Sequence, residues 1–165
     1  MPNSQQIEEI KRLTLYWQQQ AEAILKRPLA LLEIRFDLRG RAAGQFRSQP
    51  KPCIRYNMQI ACRQFEAFCL RTPPHEVAHY AIYEVYGHTV KPHGQEWKAL
   101  MNAFGCDAST THDFDLDQVQ IRRQKRYPYR CACRVHQLSA TRHNRIMRDH
   151  AEYRCRACGR LLRLE

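Results

Sequence analysis

The segment His75-Glu76-Val77-Ala78-His79 holds the side chains best suited to chemistry. Two histidines four apart share one face of a helix, close enough for both imidazoles to hold one Zn²⁺. The glutamate beside the first can take a proton from water held by that metal. Five residues thus offer two ligands and a general base, Glu76. A catalytic zinc also needs a third protein ligand and an open fourth position. Past His79 the apolar pattern continues to Tyr86 and stops at Gly87, a suitable helix end. Pro92-His93-Gly94 then leads into renewed helical spacing at Trp97, Leu100, Met101 and Phe104. Pro92 fixes the approach and Gly94 permits close backbone contact, so His93 is the expected third ligand.

Glu84 and His88 compete for that place. Glu84 lies five residues beyond His79, roughly 140° around the helix, and His88 sits too near the helix end to fold back easily. A metzincin would carry Gly and His where Ile82 and Val85 stand, which excludes that class. His112 reads in two ways: as a hydrogen-bond donor to an oxyanion or a support for the zinc site, or as a capping or packing residue. Glu96 is read as helix solvation, and Tyr80, Tyr83, Tyr86 and Trp97 as core or cleft wall.

The elements that must position these groups follow from periodicity. Asn3 or Ser4 can cap a first helix, with Ile7, Ile10, Leu13, Trp17, Ala21 and Leu25 on one face and an end before Pro28. Leu32, Ile34 and Phe36 alternate with charged residues as in a half-buried strand. Gly40 and Gly44 bracket a turn or bulge. Pro50 and Pro52 introduce a second strand over Cys53–Asn57, expected at a sheet edge. A helix is predicted over 58–70, and a separate metal helix starting at Thr72-Pro73-Pro74, where the first N–H groups are unpaired anyway. An exposed strand edge beside the zinc would accept an extended peptide as a further strand.

The 8 cysteines form two sets. Cys155-x-x-Cys158-Gly159 has the spacing of a zinc knuckle. Cys131-x-Cys133 is one residue short of the usual turn, and Cys133-x-x-His136 would restore the gap. The repeated Tyr-Arg-Cys at 129–131 and 153–155 instead pairs Cys131 with Cys155 as openers of two knuckles. Five candidates, Cys131, Cys133, His136, Cys155 and Cys158, therefore compete for four places on a structural zinc. Cys53, Cys62, Cys69 and Cys106 show no ligand spacing and are expected to be buried thiols. His143 and His150 are not assigned to metal.

Charge is partitioned. Residues 119–165 hold 13 Arg or Lys against 3 acidic side chains, a formal +10, while residues 1–118 hold 14 against 13. So dense a positive segment favours polyanions and salt-sensitive binding. Its bias to arginine suits bidentate phosphate contact. Tyr127, Tyr129 and Tyr153 either stack on bases or pack the small module. No apolar run reaches the roughly 18 residues of a membrane span, and the first residues lack the pattern of a secretory signal. A cytoplasmic chain of this kind makes metal ligation a better use of cysteine than disulfides.

Three stretches together resemble the SprT family: Pro74-His75-Glu76-Val77-Ala78-His79, Pro92-His93-Gly94-Gln95-Glu96-Trp97, and Thr111-His112-Asp113-Phe114. Tyr129 to Cys133, Arg142-His143-Asn144-Arg145 and Tyr153 to Gly159 extend the likeness to a bacterial SprT-type tail. Those are predicted zinc metallopeptidases related to the protease domain of Spartan, which degrades proteins crosslinked to DNA. The resemblance implies an α+β fold with a zincin-like metallopeptidase domain over 1–118, built on a small sheet and the H-E-x-x-H helix. A basic zinc-ribbon module over 119–165 would follow. It implies a catalytic zinc on His75, His79 and His93, Glu76 as base, and a second, structural zinc. The function expected is cleavage of protein substrates in association with DNA, single-stranded or structured, in a cytoplasmic or nucleoid-associated monomer. The alternative is a nucleic-acid-binding zinc protein without significant protease activity.

Overall fold

Asn3 opens the first helix, α1 (Ser4–Leu25), in a reciprocal capping box with Gln6. In this computed structural model, which describes residues 3–117, 119 and 125–165, the chain divides into two compact units, Met1–Ile121 and Arg122–Glu165. The boundary expected from sequence falls at residue 118, outside the described residues.

In the first unit α1 buries Ile10, Thr14, Gln18 and Ala21. Two of these are polar, and each has found a partner. The Thr14 hydroxyl donates to the Ile10 carbonyl (2.7 Å) and lies 2.8 Å from the Tyr56 hydroxyl. Gln18 Nε2 donates to the Ala30 carbonyl at 3.2 Å. A three-stranded sheet packs with the helices in the order β1 (Glu33–Arg35), β3 (Cys53–Tyr56), β2 (Gly44–Arg47). β1 runs parallel to β3 and β2 antiparallel to it.

Two expectations are corrected here. The Cys53 strand is not an edge. It is the centre of the sheet, and Cys53, Ile54 and Tyr56 are buried. The edges are β1 and β2, and β2 begins at Gly44, read from sequence as one end of a turn or bulge. Asn57 explains the tight return: its side-chain amide donates to the carbonyls of Gly40 (2.9 Å) and Ala42 (3.1 Å), holding that loop against the end of β3. Asn57 also caps the short helix α2 (Met58–Ala61).

The second correction concerns the prolines. α3 is one helix from Phe65 to Tyr86, with Pro73 and Pro74 inside it rather than at its start. Proline cannot bond back to the residue four earlier, so the carbonyls of Cys69 and Leu70 lose helical partners. Leu70 is 73 % exposed, which opens that turn to water, whereas Thr72, Pro73 and Pro74 are buried in the core. Tertiary packing outweighs the local preference. α3 ends at Gly87, and α4 (Gln95–Ala103) lays Trp97, Leu100 and Met101 into the same core as Ile10, Ile54, Phe68 and Val77.

The second unit is a small antiparallel sheet in the order β5 (Val135–Ser139), β4 (Arg126–Arg130), β6 (Arg163–Leu164), with helix α5 (Ala140–Asp149) capped by Ser139. Its core is Tyr129, Cys131, Leu138, Cys155 and Leu162. So few side chains cannot hold a module of this size by apolar burial alone. Among the described residues no helix is long and apolar enough to cross a membrane.

Candidate metal centre and active-site cleft

His75 and His79 stand one helical turn apart on α3, and the turn after α3 brings His93 to the same point. His79 Nε2 lies 3.1 Å from the Nε2 atoms of both His75 and His93, and those two are 3.3 Å apart. A tetrahedral zinc with Zn–N of about 2.0–2.1 Å sets its nitrogens about 3.3–3.4 Å apart. The triangle therefore fits one such ion, in donor type and in size. Burial, with repulsion from neighbouring histidines, pushes His75 down to about 4 and His79 to about 3, and burial together with Lys98 lowers His93, so the rings stay neutral and ready to donate lone pairs. The Pro92 backbone acts on His79 in the opposite sense and is the smallest of these influences.

Trp97 forms the back wall. It is fully buried, its indole N–H donates to the His75 carbonyl at 3.4 Å, and its ring centroid lies 4.7, 5.4 and 4.8 Å from those of His75, His79 and His93. Neither competitor joins the three histidines. His88 turns its ring to Tyr83 at 5.1 Å, and Glu84 stands outside the cluster.

Glu76 is 6 % exposed. Burial pushes its carboxyl up to about 8, against the opposing pull of the Phe46 N–H. That N–H, on β2, donates to Glu76 Oε2 at 2.7 Å. Contact this close is possible because residue 44 is glycine: a Cβ there would lie 2.6 Å from Glu76 Cγ and Oε1 and 2.8 Å from Thr72 Cγ2. Sequence reasoning missed the parts played by Gly44 and Phe46, because Gly-Gln-Phe-Arg has one large apolar side chain, too few to mark a strand.

Clefts open on both sides of this point and share Gly44, His75 and Glu76. One, of about 420 Å³, is walled by Arg41, Arg71, Thr72, Thr111 and His112. The other, of about 400 Å³, is walled by Phe46, Ile82, Tyr83, His88 and Val90, and reaches His79 and His93. Arg71 is clamped between Asp107 (3.2 Å) and Asp113. His112 caps no helix. Its Nε2 lies 3.0 Å from the Arg41 carbonyl, which can only accept, so the ring donates there, and it rests on Phe114 at 4.8 Å.

The second unit gathers Cys131, Cys133, Cys155 and Cys158, whose sulfurs all lie within 4.8 Å of one another. Cys131 and Cys133 are 3.4 Å apart and Cys133 and Cys155 3.7 Å. A tetrahedral zinc at about 2.3 Å from each sulfur would space them about 3.8 Å apart, so these thiols also fit one ion. Backbone N–H groups of Cys158 and Ala157 hold the Cys155 thiol down to about 7. Cys133, bonded by three other thiols, is pushed up to about 12: four sulfurs this close cannot all ionise without a cation. His136, the fifth candidate, falls outside this set of four and lies 3.2 Å from Cys131 Sγ. Of the remaining cysteines, Cys53 is buried, Cys69 and Cys106 are half-buried, and Cys62, contrary to expectation, is exposed and bonded to Gln6.

The aromatic residues of this unit pack. Tyr129 is buried with its hydroxyl 3.1 Å from His143 Nδ1, Tyr127 stacks on the His143 ring at 3.6 Å, and Arg142 lies over Tyr153 at 5.7 Å.

An α+β unit with a three-histidine centre, followed by a four-thiol centre, defines a class of zinc-associated protein. The chain belongs to the SprT-like family, whose model matches residues 13–125. It is similar to Protein SprT of Actinobacillus succinogenes, 41 % identical over 145 residues that make up 87 % of this chain and 82 % of that one. Protein SprT of Vibrio parahaemolyticus is 41 % identical over 84 % of this chain and 81 % of its own. That of Shewanella oneidensis is 38 % identical over 85 % and 87 %. No solved structure matches.

Proposed function

We propose that the chain is a zinc metalloendopeptidase of zincin-like build over 1–118, with a basic zinc-ribbon module over 119–165 that binds DNA. The observation that carries the reading is the triangle of His75, His79 and His93 beside a buried glutamate, Glu76, in a cleft with a free strand edge. A zinc ion on those imidazoles would supply a Lewis acid and an acidified water. The chain's residues do the rest. Glu76 takes the proton from the attacking water and delivers it to the leaving amide nitrogen. β2 aligns an extended substrate by backbone pairing, and the clefts on either side of Glu76 receive its side chains. His112 and Thr111 line the wall of one of these clefts.

Support for a DNA partner comes from charge: 13 basic against 3 acidic residues in 119–165. Proteolysis of proteins crosslinked to DNA, in the cytoplasm or on the nucleoid, is the function that joins the two parts. The same charge also favours the second reading, a nucleic-acid-binding zinc protein without protease activity. One experiment separates them: cleavage of a basic, flexible protein by zinc-loaded enzyme with and without single-stranded DNA, beside Glu76→Gln. DNA-stimulated cleavage that Glu76→Gln abolishes, with zinc retained, is expected. DNA binding without cleavage would leave the second reading standing.

A further inference from the structure

β2 has one free side. The Ala43 carbonyl accepts from Asn57 N–H at 2.8 Å, and the register runs Gly44 to Tyr56, Gln45 to Arg55, Phe46 to Ile54. Backbone groups alternate along an antiparallel strand, so Ala43, Gln45 and Arg47 bond to β3 while Gly44 and Phe46 turn their N–H and C=O outward. An extended chain joining this edge needs the Phe46 N–H. In this structure the Glu76 carboxylate already has it, at 2.7 Å.

We propose that Glu76 is a base with two exclusive engagements, and that the substrate's own backbone switches it from one to the other. At rest the carboxylate occupies the Phe46 N–H. A substrate strand running antiparallel to β2 presents a carbonyl to that N–H and its own N–H to the Phe46 carbonyl, and the displaced carboxylate becomes available for proton transfer. The exchange is one acceptor for another on a single donor, so no bond is left unmade. The inference rests on the peptidase reading above and extends it to the class of substrate.

The packing makes the resting engagement specific. Glu76 is 6 % exposed, and Gly44 leaves a slot just wide enough for its side chain to lie against β2. The carboxylate is thus held on the strand that substrate must join, rather than roaming in the cleft. Substrates able to release it share one property: a stretch of extended chain with unpaired backbone groups. Folded proteins keep those groups paired and leave the base engaged, so unfolded segments are the substrates and folded bystanders are spared.

Two variants that should not turn substrate over test this with the zinc-loaded full chain. Glu76→Gln keeps an acceptor oxygen for Phe46 N–H, and Glu76→Ala removes it. The probe is fluorescein-labelled, oxidised insulin B chain, an unfolded peptide, followed by anisotropy. With no bond to displace, Glu76→Ala is expected to bind it about tenfold tighter than Glu76→Gln, the size of one net hydrogen bond. Hydrogen exchange gives a second readout. The Phe46 amide is expected to be protected in wild type and Glu76→Gln, unprotected in Glu76→Ala, and protected again when peptide is added. Equal affinities, or rapid exchange of the Phe46 amide in wild type, would overturn the switch. Were wild type still to cleave the peptide in that case, the peptidase reading would stand without it. No cleavage and no binding by any form would sink both. The wild-type exchange measurement holds even if Glu76→Ala proves unstable.

Discussion

Gly44→Ala is the sharpest perturbation of the cleft. The added methyl would meet Glu76 Cγ at 2.6 Å and Thr72 Cγ2 at 2.8 Å, whereas carbon atoms rest about 3.5–4.0 Å apart. Roughly 1 Å must be found. The carboxylate tip can swing aside, but Glu76 Cγ and Thr72 Cγ2 sit close to the α3 backbone, and both residues are buried at 6 % and 5 % exposure. β2 and α3 must therefore part, and the Phe46–Glu76 bond stretches with them. Overpacking of this kind costs about 1–3 kcal/mol, which for a unit of this size lowers Tm by about 4–10 °C. Misplacing the base by a comparable distance should lower kcat by up to about a hundredfold. Zinc content should not change, since no histidine is touched. The assay is peptide hydrolysis with thermal unfolding and metal analysis, and the control is Gly40→Ala. Gly40 has φ +92° and nothing within 4 Å of a Cβ, so alanine there costs about 1–2 kcal/mol of backbone strain without touching the cleft. Wild-type kcat and Tm for Gly44→Ala would refute the close packing of β2 on Glu76. Equal loss of kcat in both variants would show that stability alone was being read.

Three further outcomes are expected. Trp97 lies against all three histidines, so in a Trp17→Phe background its emission should change with zinc at a stoichiometry of one; a silent Trp97 would mean that the ion binds elsewhere. In chelator-treated protein His75 and His79 have folded-state values of about 4 and about 3, below the ordinary 6.5. The unfolded chain then binds more protons, so stability is full above about pH 6.5 and falls as pH drops toward 3–4; urea midpoints flat from pH 7 to 4 would contradict this. Cys155→Ser removes one of four clustered sulfurs, and should collapse the amide dispersion of residues 125–165 while leaving that of 3–117 intact. Unchanged dispersion would show that the second unit needs no metal.

The three-histidine cluster was legible because it is local. His75 and His79 are fixed by helical spacing alone, and His93 by the restart of apolar periodicity at Trp97. What sequence could not supply were partners distant along the chain. Thr14 stands outside the apolar set read for α1, and its hydroxyl is buried against Tyr56, 42 residues away. β2 is four residues long with a single large apolar side chain, and its role depends on Asn57 closing the 40–42 loop and on Glu76 receiving its free N–H. Pro73 and Pro74 obey a local rule that burial overrode. Cys131-x-Cys133 looked one residue short for a ligand pair, yet its sulfurs converge with Cys155 and Cys158 as the two halves of the unit meet.

α3 carries two of the three histidines, the glutamate between them and, on its other faces, Phe68, Val77, Ala78 and Ala81 of the core. Adding or deleting one residue in it would turn everything beyond that point by about 100°. Core and cleft would lose register in the same event, so neither can be altered in length without the other. The segment 87–94 is under no such constraint: it is free of regular structure and brings in His93 separately. Length variation among descendants of this chain should therefore gather between Gly87 and Pro92 and be missing between Phe68 and Ile82, a pattern that a scan of single-residue insertions would reproduce in the laboratory.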